Sequence, residues 1–477
     1  MALVLLLLPL VMAAVAAAVD SNRWRPWLLP ATAAAHLAAT IAEILHPAGG
    51  ALAGLLQLDA AGRIVLLQIS TLFALCSLYA VGYLRERREL DNRVFCACLL
   101  VFLAVTSLVT WAQHLGLMWV AIEASTLVTA PLIYFNRTER SIEATWKYLL
   151  VGSVGIAMAL LGTFFLAYSA LHAGLDSGLT LSGLLHEAPR LSKPWLHAAF
   201  VLLLVGYGTK MGLAPMHTWK PDAYGEAPGV VGAMLAGGVT SCAFLALVRV
   251  WHICHAAGED DYTSRLLLFM GLFSIAVAGV FMVDQRDFKR MLAYSSVEHM
   301  GILAVGLGIG APALPGTLLH VLTNGLTKGV LFLSAGNIHR SYGSKSTDQV
   351  RGAMRRLPVS GTLFLAGFLA ITGSPPFGPF VSEFSILNGA FDAGRFVTAG
   401  LFLSFLLLVF IGMGSTVLKV VQGRPPTAPE GVEYRDSLLT AAPILVLMLL
   451  VLLLGLYIPA PIVSLLEDAV RLLEAHA

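Results

Sequence analysis

Charge is what this sequence is short of. Only 12% of its 477 residues are charged, about half the share of an ordinary soluble chain, while 57% are apolar. A soluble protein of this size would expose more apolar surface than water tolerates, which excludes a water-soluble enzyme. Cysteine is scarce as well: Cys76, Cys96, Cys98, Cys242 and Cys254 all fall in or at the ends of apolar segments. Without a C-x-x-C pair or a loop cysteine, the sequence predicts no disulfide framework, zinc site or iron–sulfur ligation. No G-x-G-x-x-G opens a strand–helix unit, so flavin or nicotinamide binding has no motif. A net charge of +2 gives no footprint for nucleic acid. The expectation is an integral membrane protein that holds no metal or redox cofactor of its own.

What the chain has instead is long apolar runs. A membrane-spanning helix needs about 20 mostly apolar residues, and hydropathy predicts an all-α, polytopic fold of about 14 such helices. Spans 5, 7, 8, 11 and 12 fall at Leu115–Phe135, His197–Met216, Gly229–His252, Gly316–Ile338 and Gly361–Leu387. The first segment, from Ala2 to Val19, has no basic flank and reads as a retained helix rather than a signal peptide. The tail after Pro461 spaces Leu465, Leu466, Val470 and Leu473 along one helical face, as expected of a helix lying on the membrane surface. Loops on one side carry roughly three times as many Lys and Arg as loops on the other. Arg25, Arg88, Lys220 and Lys289 count among the richer side, and Arg249 among the poorer. This bias predicts an inner (plasma) membrane of bacterial type, with both termini on the outer, periplasmic side.

Ionisable residues inside the apolar spans stand out against this background. They are Glu43, Glu123, Glu298, Glu383, Lys147, Lys210 and Lys328, joined by His36, His299 and His320. Each charge at bilayer depth costs about 2.5–3.5 kcal/mol, so seven unpaired would cost roughly 20 kcal/mol. That exceeds a typical folding stability of about 5–15 kcal/mol, so the groups must pair, stay neutral or face water inside the bundle. Such a row supplies the chemistry of a proton wire; any one acid–base pair also reads as a structural clamp. Glu43 and Lys147 lie near span ends and can snorkel. His36 reads as a packing or interfacial residue.

Local devices accompany the deeper groups. Pro215 follows Lys210 in Gly206-Tyr-Gly-Thr-Lys210-Met-Gly-Leu-Ala-Pro215 and frees a carbonyl beside the lysine. Gly373-Ser-Pro375-Pro376-Phe-Gly378-Pro379 precedes Glu383, predicting broken helices at spans 7 and 12. His320, Asn324 and Lys328 share one face of span 11 over about 12 Å. Glu123 and Glu298, like Lys210 and Glu383, recur at similar spacing, which predicts two inverted five-helix repeats. The predicted organisation is three helices in 1–93, spans 4–8 in 94–256, spans 9–13 in 257–421, and span 14 with an amphipathic tail in 422–477.

Four segments carry a family resemblance: Lys210 through His217, Trp219, Pro221 and Asp222 to Pro228; Asp287-Phe-Lys289-Arg290 to Ser296 and His299; His320 through Lys328; and Gly378 through Glu383. Together they resemble the antiporter-like membrane subunits of the complex I and energy-converting hydrogenase superfamily. Ser296-Val-Glu298-His299-Met and Ala335-Gly336-Asn337-Ile338 are most similar to the hydrogenase-4 component F group of formate-hydrogenlyase-type complexes. The resemblance implies that Glu123 pairs with Lys210, that Lys328 and His320 lie on a central axis, and that Glu383 faces an exit. Glu298, His299, Lys147 and His217 would support them. Ser241 and Asn324 stand where relatives carry titratable groups, leaving the axis to water or Glu298. The implied function is proton translocation in a redox-driven complex, with nickel–iron, iron–sulfur or quinone chemistry only in partner subunits. A subunit of a cation/proton (Na⁺/H⁺) antiporter and a structural anchor are the alternatives.

Overall fold

Backbone N–H and C=O groups find no partner in lipid, so the apolar runs must satisfy their own hydrogen bonds as helices. A computed structural model of the chain describes every residue except 48, 53, 88, 176–177, 427–433 and 476–477. Arg88, one of the loop cations counted above, lies outside the described residues. The first helices are α1 (Ala2–Ala18), α2 (Leu28–Leu45), α3 (Ala60–Arg85), α4 (Arg93–Trp111), α5 (Leu115–Ile133) and α6 (Glu139–His172). Next come the short α7 (Leu181–Glu187), then α8 (Lys193–Met211), α9 (Trp219–Glu226), α10 (Gly229–Met234) and α11 (Thr240–Ala256). The remainder is α12 (Asp260–Met282), α13 (Phe288–Ile309), α14 (Leu314–Tyr342), the single turn α15 (Ala353–Arg356), α16 (Pro358–Ile371) and α17 (Gly378–Asp392). The chain closes with α18 (Phe396–Val421), α19 (Leu438–Leu456) and α20 (Ala460–Glu474). Eleven of the described helices are long and apolar enough to cross a membrane, and the shorter α1 and α16 are also apolar. The chain is a multi-pass membrane protein.

Small residues set how closely the helices approach. On α6, Gly155, Ala159 and Gly162 face Leu203, Gly206 and Thr209 of α8. A Cβ at Gly206 would lie 2.5 Å from the Ala159 nitrogen and 2.7 Å from the Gly155 oxygen. Gly271 of α12 and Gly301 of α13 make the same kind of approach, each 2.7 Å from the other's oxygen if given a Cβ. Close backbone contact replaces the hydrophobic drive that lipid cannot supply.

Spans 7, 8 and 12 end or break where backbone chemistry requires. Span 7 stops at Met211, earlier than hydropathy predicts. The stop comes from Gly212 (φ 76°) rather than Pro215, with Gly212 N donating to Thr209 O and Leu213 N to Gly208 O. This is a Schellman end, which favours glycine in the left-handed region. Span 12 breaks by the same device: Gly373 has φ 66°, its N donates to Ala370 O, and Ser374 N donates to Leu369 O. Between α10 and α11, span 8 carries a π-turn at Leu235–Val239, where Gly237 and Gly238 let α3 and α4 side chains press on the backbone. The tail forms α20 as expected, and its apolar face (Leu465, Leu466, Ala469, Leu473) docks on α3 and α14.

Two arginines counted as loop cations are buried clamps. Arg25 joins Ala16 O, Val19 O, Asn22 and Asn92. Arg249 donates to Asp59 and to the carbonyls of Val109, Thr110 and Ala112 that end α4. His36 is a satisfied core residue, bonded to Ser107 at 3.0 Å and Ser70 at 3.1 Å.

Just before α12, Glu259 ties that helix to the start of α8 through Lys193 and His197, both at 2.6 Å. Burial alone would raise its carboxyl pKa, but the hydrogen bonds and charge of Lys193 and His197 outweigh it and hold the pKa below the ordinary 4.5. A depressed carboxyl contributes stability above its unfolded pKa and loses it as pH falls through the folded value. Thermal unfolding in detergent should therefore separate wild type from Glu259→Gln at pH 7. The gap should close progressively as pH drops below the ordinary 4.5.

Candidate functional site

The broken helix α8 delivers Lys210 into the bundle with 1% of its surface exposed. Its ammonium donates to Thr126 Oγ1 of α5 and, at 3.3 Å, to the hydroxyl of Tyr148 on α6, and it lies 4.8 Å from the Tyr148 ring centre. Thr126 in turn donates to Glu123 Oε2 at 3.2 Å, so the acid and the lysine communicate through a hydroxyl rather than by direct contact. Glu123 is only half-buried, and its other oxygen accepts from the exposed Ser153 at 3.0 Å. Helical spacing in α5 did carry a sign of this, since Thr126 lies three residues on from Glu123 and so on the same face. Trp146, Leu150 and Val154 line the exposed α6 face beside it.

Lys147 does not join the buried row. Its side chain is 47% exposed and sits between Glu143 (2.6 Å) and Asp222 (2.8 Å), with Arg290 also on Asp222. His217 lies in the break after α8, between Tyr294 and Phe281, and its backbone O accepts from Lys220 N at 2.9 Å.

A second cluster forms along the seam of α13 and α14. Lys328 is fully buried and donates to Ser295 Oγ at 2.6 Å; Ser295 faces Glu298 Oε2 at 3.4 Å. Glu298 Oε2 is 3.6 Å from His299 Nε2, and His299 Nδ1 is hydrogen-bonded to His320 Nε2 at 3.0 Å. Glu383 Oε1 reaches His299 Nδ1 at 3.9 Å, and His320 Nδ1 meets Ser382 at 2.9 Å. The line therefore crosses from α14 to α13 and back, rather than running along one face of α14 through Asn324. The Asn324 Oδ1, both polar atoms of buried Gln68 and Glu383 Oε1 have no hydrogen-bond partner among the described residues. Buried polar groups of this kind require water. Ser241 is committed to its own helix, donating to Gly237 O at 2.8 Å.

Lys220 is the residue that sequence reading misplaced. Counted as a loop cation, it is fully buried on α9 and donates to Ser296 Oγ at 3.0 Å. A signal existed: the two left-handed glycines each stand against an ionisable side chain. A Cβ on Gly212 would run into Lys220, and one on Gly373 into Glu383. Between the two clusters lie the rings of Tyr148, Trp219 and Tyr224, with centres 5.0 and 5.8 Å apart. Near the ends of α3, α9 and α14, a polar crevice of about 830 Å³ is lined by Tyr83, Arg87, Asn136, Glu226, His339 and Lys345. Beneath it, buried Lys289 donates to Ala227 O at 2.7 Å.

The chain is similar to known proteins. The family described as NADH:quinone oxidoreductase/Mrp antiporter, transmembrane, matches residues 112–412. A hydrogenase-4 component F homolog of Methylacidiphilum infernorum is 37% identical over 360 residues, 74% of each chain. NADH-quinone oxidoreductase subunit N of Desulforudis audaxviator is 33% identical over 412 residues, 83% of this chain and 80% of the relative. A chain of respiratory complex I from Thermus thermophilus superposes with a TM-score of 0.80 at 28% identity, over 96% of this chain and 97% of that one. All three are by name components of multisubunit assemblies. The buried lysines, the two glycine-ended helix breaks and these likenesses lead to one conclusion: the chain belongs to the NADH:quinone oxidoreductase/Mrp antiporter transmembrane family.

Proposed function

We propose that the chain is a proton-translocating membrane subunit of a redox-driven complex of the hydrogenase-4 or complex I kind. The observation that carries this reading is the succession of buried amines, acids, imidazoles and hydroxyls from Lys210 to Glu383. In this reading protons enter by the polar crevice on the cytoplasmic side. Lys210 and Lys220 receive them, with Glu123 acting on Lys210 through Thr126. Lys328, Glu298, His299 and His320 pass them on, and Glu383 releases them outside. Both termini then face the periplasm, and the chain divides into the two inverted five-helix units predicted above. Glu123 and the apolar α6 face beside it meet another membrane subunit, since a carboxylate at bilayer depth is costly against lipid. Redox cofactors belong to partner subunits.

The antiporter alternative exchanges Na⁺, a hard cation that favours oxygen ligands. The buried row carries amines and imidazoles among its acids, which supports protons as the cargo. The test is to purify the tagged chain with its partners, identify them, and reconstitute the complex in Na⁺-free liposomes. Donor-driven, uncoupler-sensitive acidification should persist without Na⁺ and alongside hydrogenase or oxidoreductase subunits. Acidification that needs Na⁺, with no redox subunit present, would favour the antiporter.

A further inference from the structure

We propose that His299, His320 and Glu383 form a binding site for Zn²⁺, and that a bound ion blocks the relay. Each offers one ligand atom, and the three atoms lie within 4.8 Å of one another. His299 Nδ1 and His320 Nε2 are 3.0 Å apart, and His299 Nδ1 is 3.9 Å from Glu383 Oε1. Zinc bonds of about 2.0–2.1 Å in a tetrahedron put neighbouring ligand atoms roughly 3.3 Å apart. The separations run from 3.0 Å to no more than 4.8 Å, so shifts of up to about 1.5 Å, shared among the three side chains, would convert the cluster into a three-ligand site with the fourth position left for water. Two imidazoles and one carboxylate favour a borderline cation over Mg²⁺ or Ca²⁺, which take oxygen ligands.

One support that holds a metal-binding histidine is already in place: Ser382 Oγ holds His320 Nδ1 at 2.9 Å, leaving Nε2 for the ion. His299 Nε2 is 3.6 Å from Glu298 Oε2, beyond hydrogen-bond distance, and a small closure of that gap would let Glu298 hold its proton while Nδ1 faces the ion. Glu383 is 7% exposed and its Oε1, without a hydrogen-bond partner among the described residues, points at His299. Access is short, because Glu383 stands against Gly373 in the helix break, next to the exposed Pro375 and Pro376. Reading the sequence for cysteine spacings missed the cluster because its ligands come from three helices. Binding follows from the cluster alone; the block on transport rests on the proposed relay.

The purified full-length chain in detergent is titrated with CoCl₂, followed by its visible absorption, and then with ZnSO₄. About one equivalent of tetrahedral Co²⁺ should bind and be displaced by Zn²⁺. His299→Gln and His320→Gln should abolish it, and Ser382→Ala should weaken it by roughly 10–100-fold. Wild-type affinity in both histidine variants, each shown to be folded by circular dichroism and gel filtration, would overturn the site. Zn²⁺ should also stop proton uptake by the reconstituted complex, and Ser382→Ala should require correspondingly more of it. Binding without any block would overturn the proposed plug and count against the relay; a block without binding to this cluster would overturn the site and leave the relay standing.

Discussion

Lys210→Met should reduce proton translocation by the reconstituted complex by roughly a hundredfold, the scale of a lost proton-transfer group. Lys210→Arg should do the same, although it keeps the positive charge. A guanidinium does not release its proton in proteins, and the Lys210 ammonium donates to the neutral hydroxyls of Thr126 and Tyr148 in a fully enclosed site. Thr126→Ala is the informative intermediate. It leaves both charges and removes the hydroxyl that links them, so translocation should fall less than in either lysine variant. The readout is fluorescent-dye quenching in proteoliposomes, normalised to donor oxidation. Normal quenching in Lys210→Arg would remove the lysine from the relay and leave it a clamp.

The second large effect separates clamp from relay at Lys328. Lys328 reaches Glu298 through Ser295 rather than by a direct ion pair, so Lys328→Met should cost somewhat less than the about 3–5 kcal/mol of a broken buried pair. Thermal unfolding in detergent should record that loss. The double variant Glu298→Gln, Lys328→Met removes both charges and should recover most of the stability, a coupling that single substitutions cannot expose. Translocation should stay abolished in both. A double variant that is stable and also translocates normally would show that these residues only hold helices together.

Much of the fold could be read from hydropathy, because lipid forces each span to be one apolar helix. The predicted span 5, Leu115–Phe135, begins with α5 at Leu115 and runs two residues past its end at Ile133. What hydropathy hid is informative. The stretch holding Lys220, Asp222 and Glu226 is polar and proline-containing, so it scores as a loop, yet it folds inward as α9 and buries its lysine. Glu123 was expected to be deep because it sits mid-span; how exposed it is depends on packing against α6, where Ser153 is exposed, and that is set by tertiary structure rather than by α5 alone. The pairing of His299 with His320 joins two helices and needs tertiary structure. By contrast, the breaks at spans 7 and 12 were visible as glycine and proline clusters, though glycine rather than proline ends the helices.

The adjoining rings of Tyr148, Trp219 and Tyr224, tilted and edge-on to one another, carry one more consequence. A membrane that stores energy as a gradient is short-circuited by any conductor that stays continuous across it. In the proposed relay, these three aromatic side chains between the two lysine clusters would act as insulation, passing charge only when a hydroxyl or a solvent molecule bridges the gap. Current through the subunit is then intermittent, and each brief closure is an opportunity for the redox partner to set its direction.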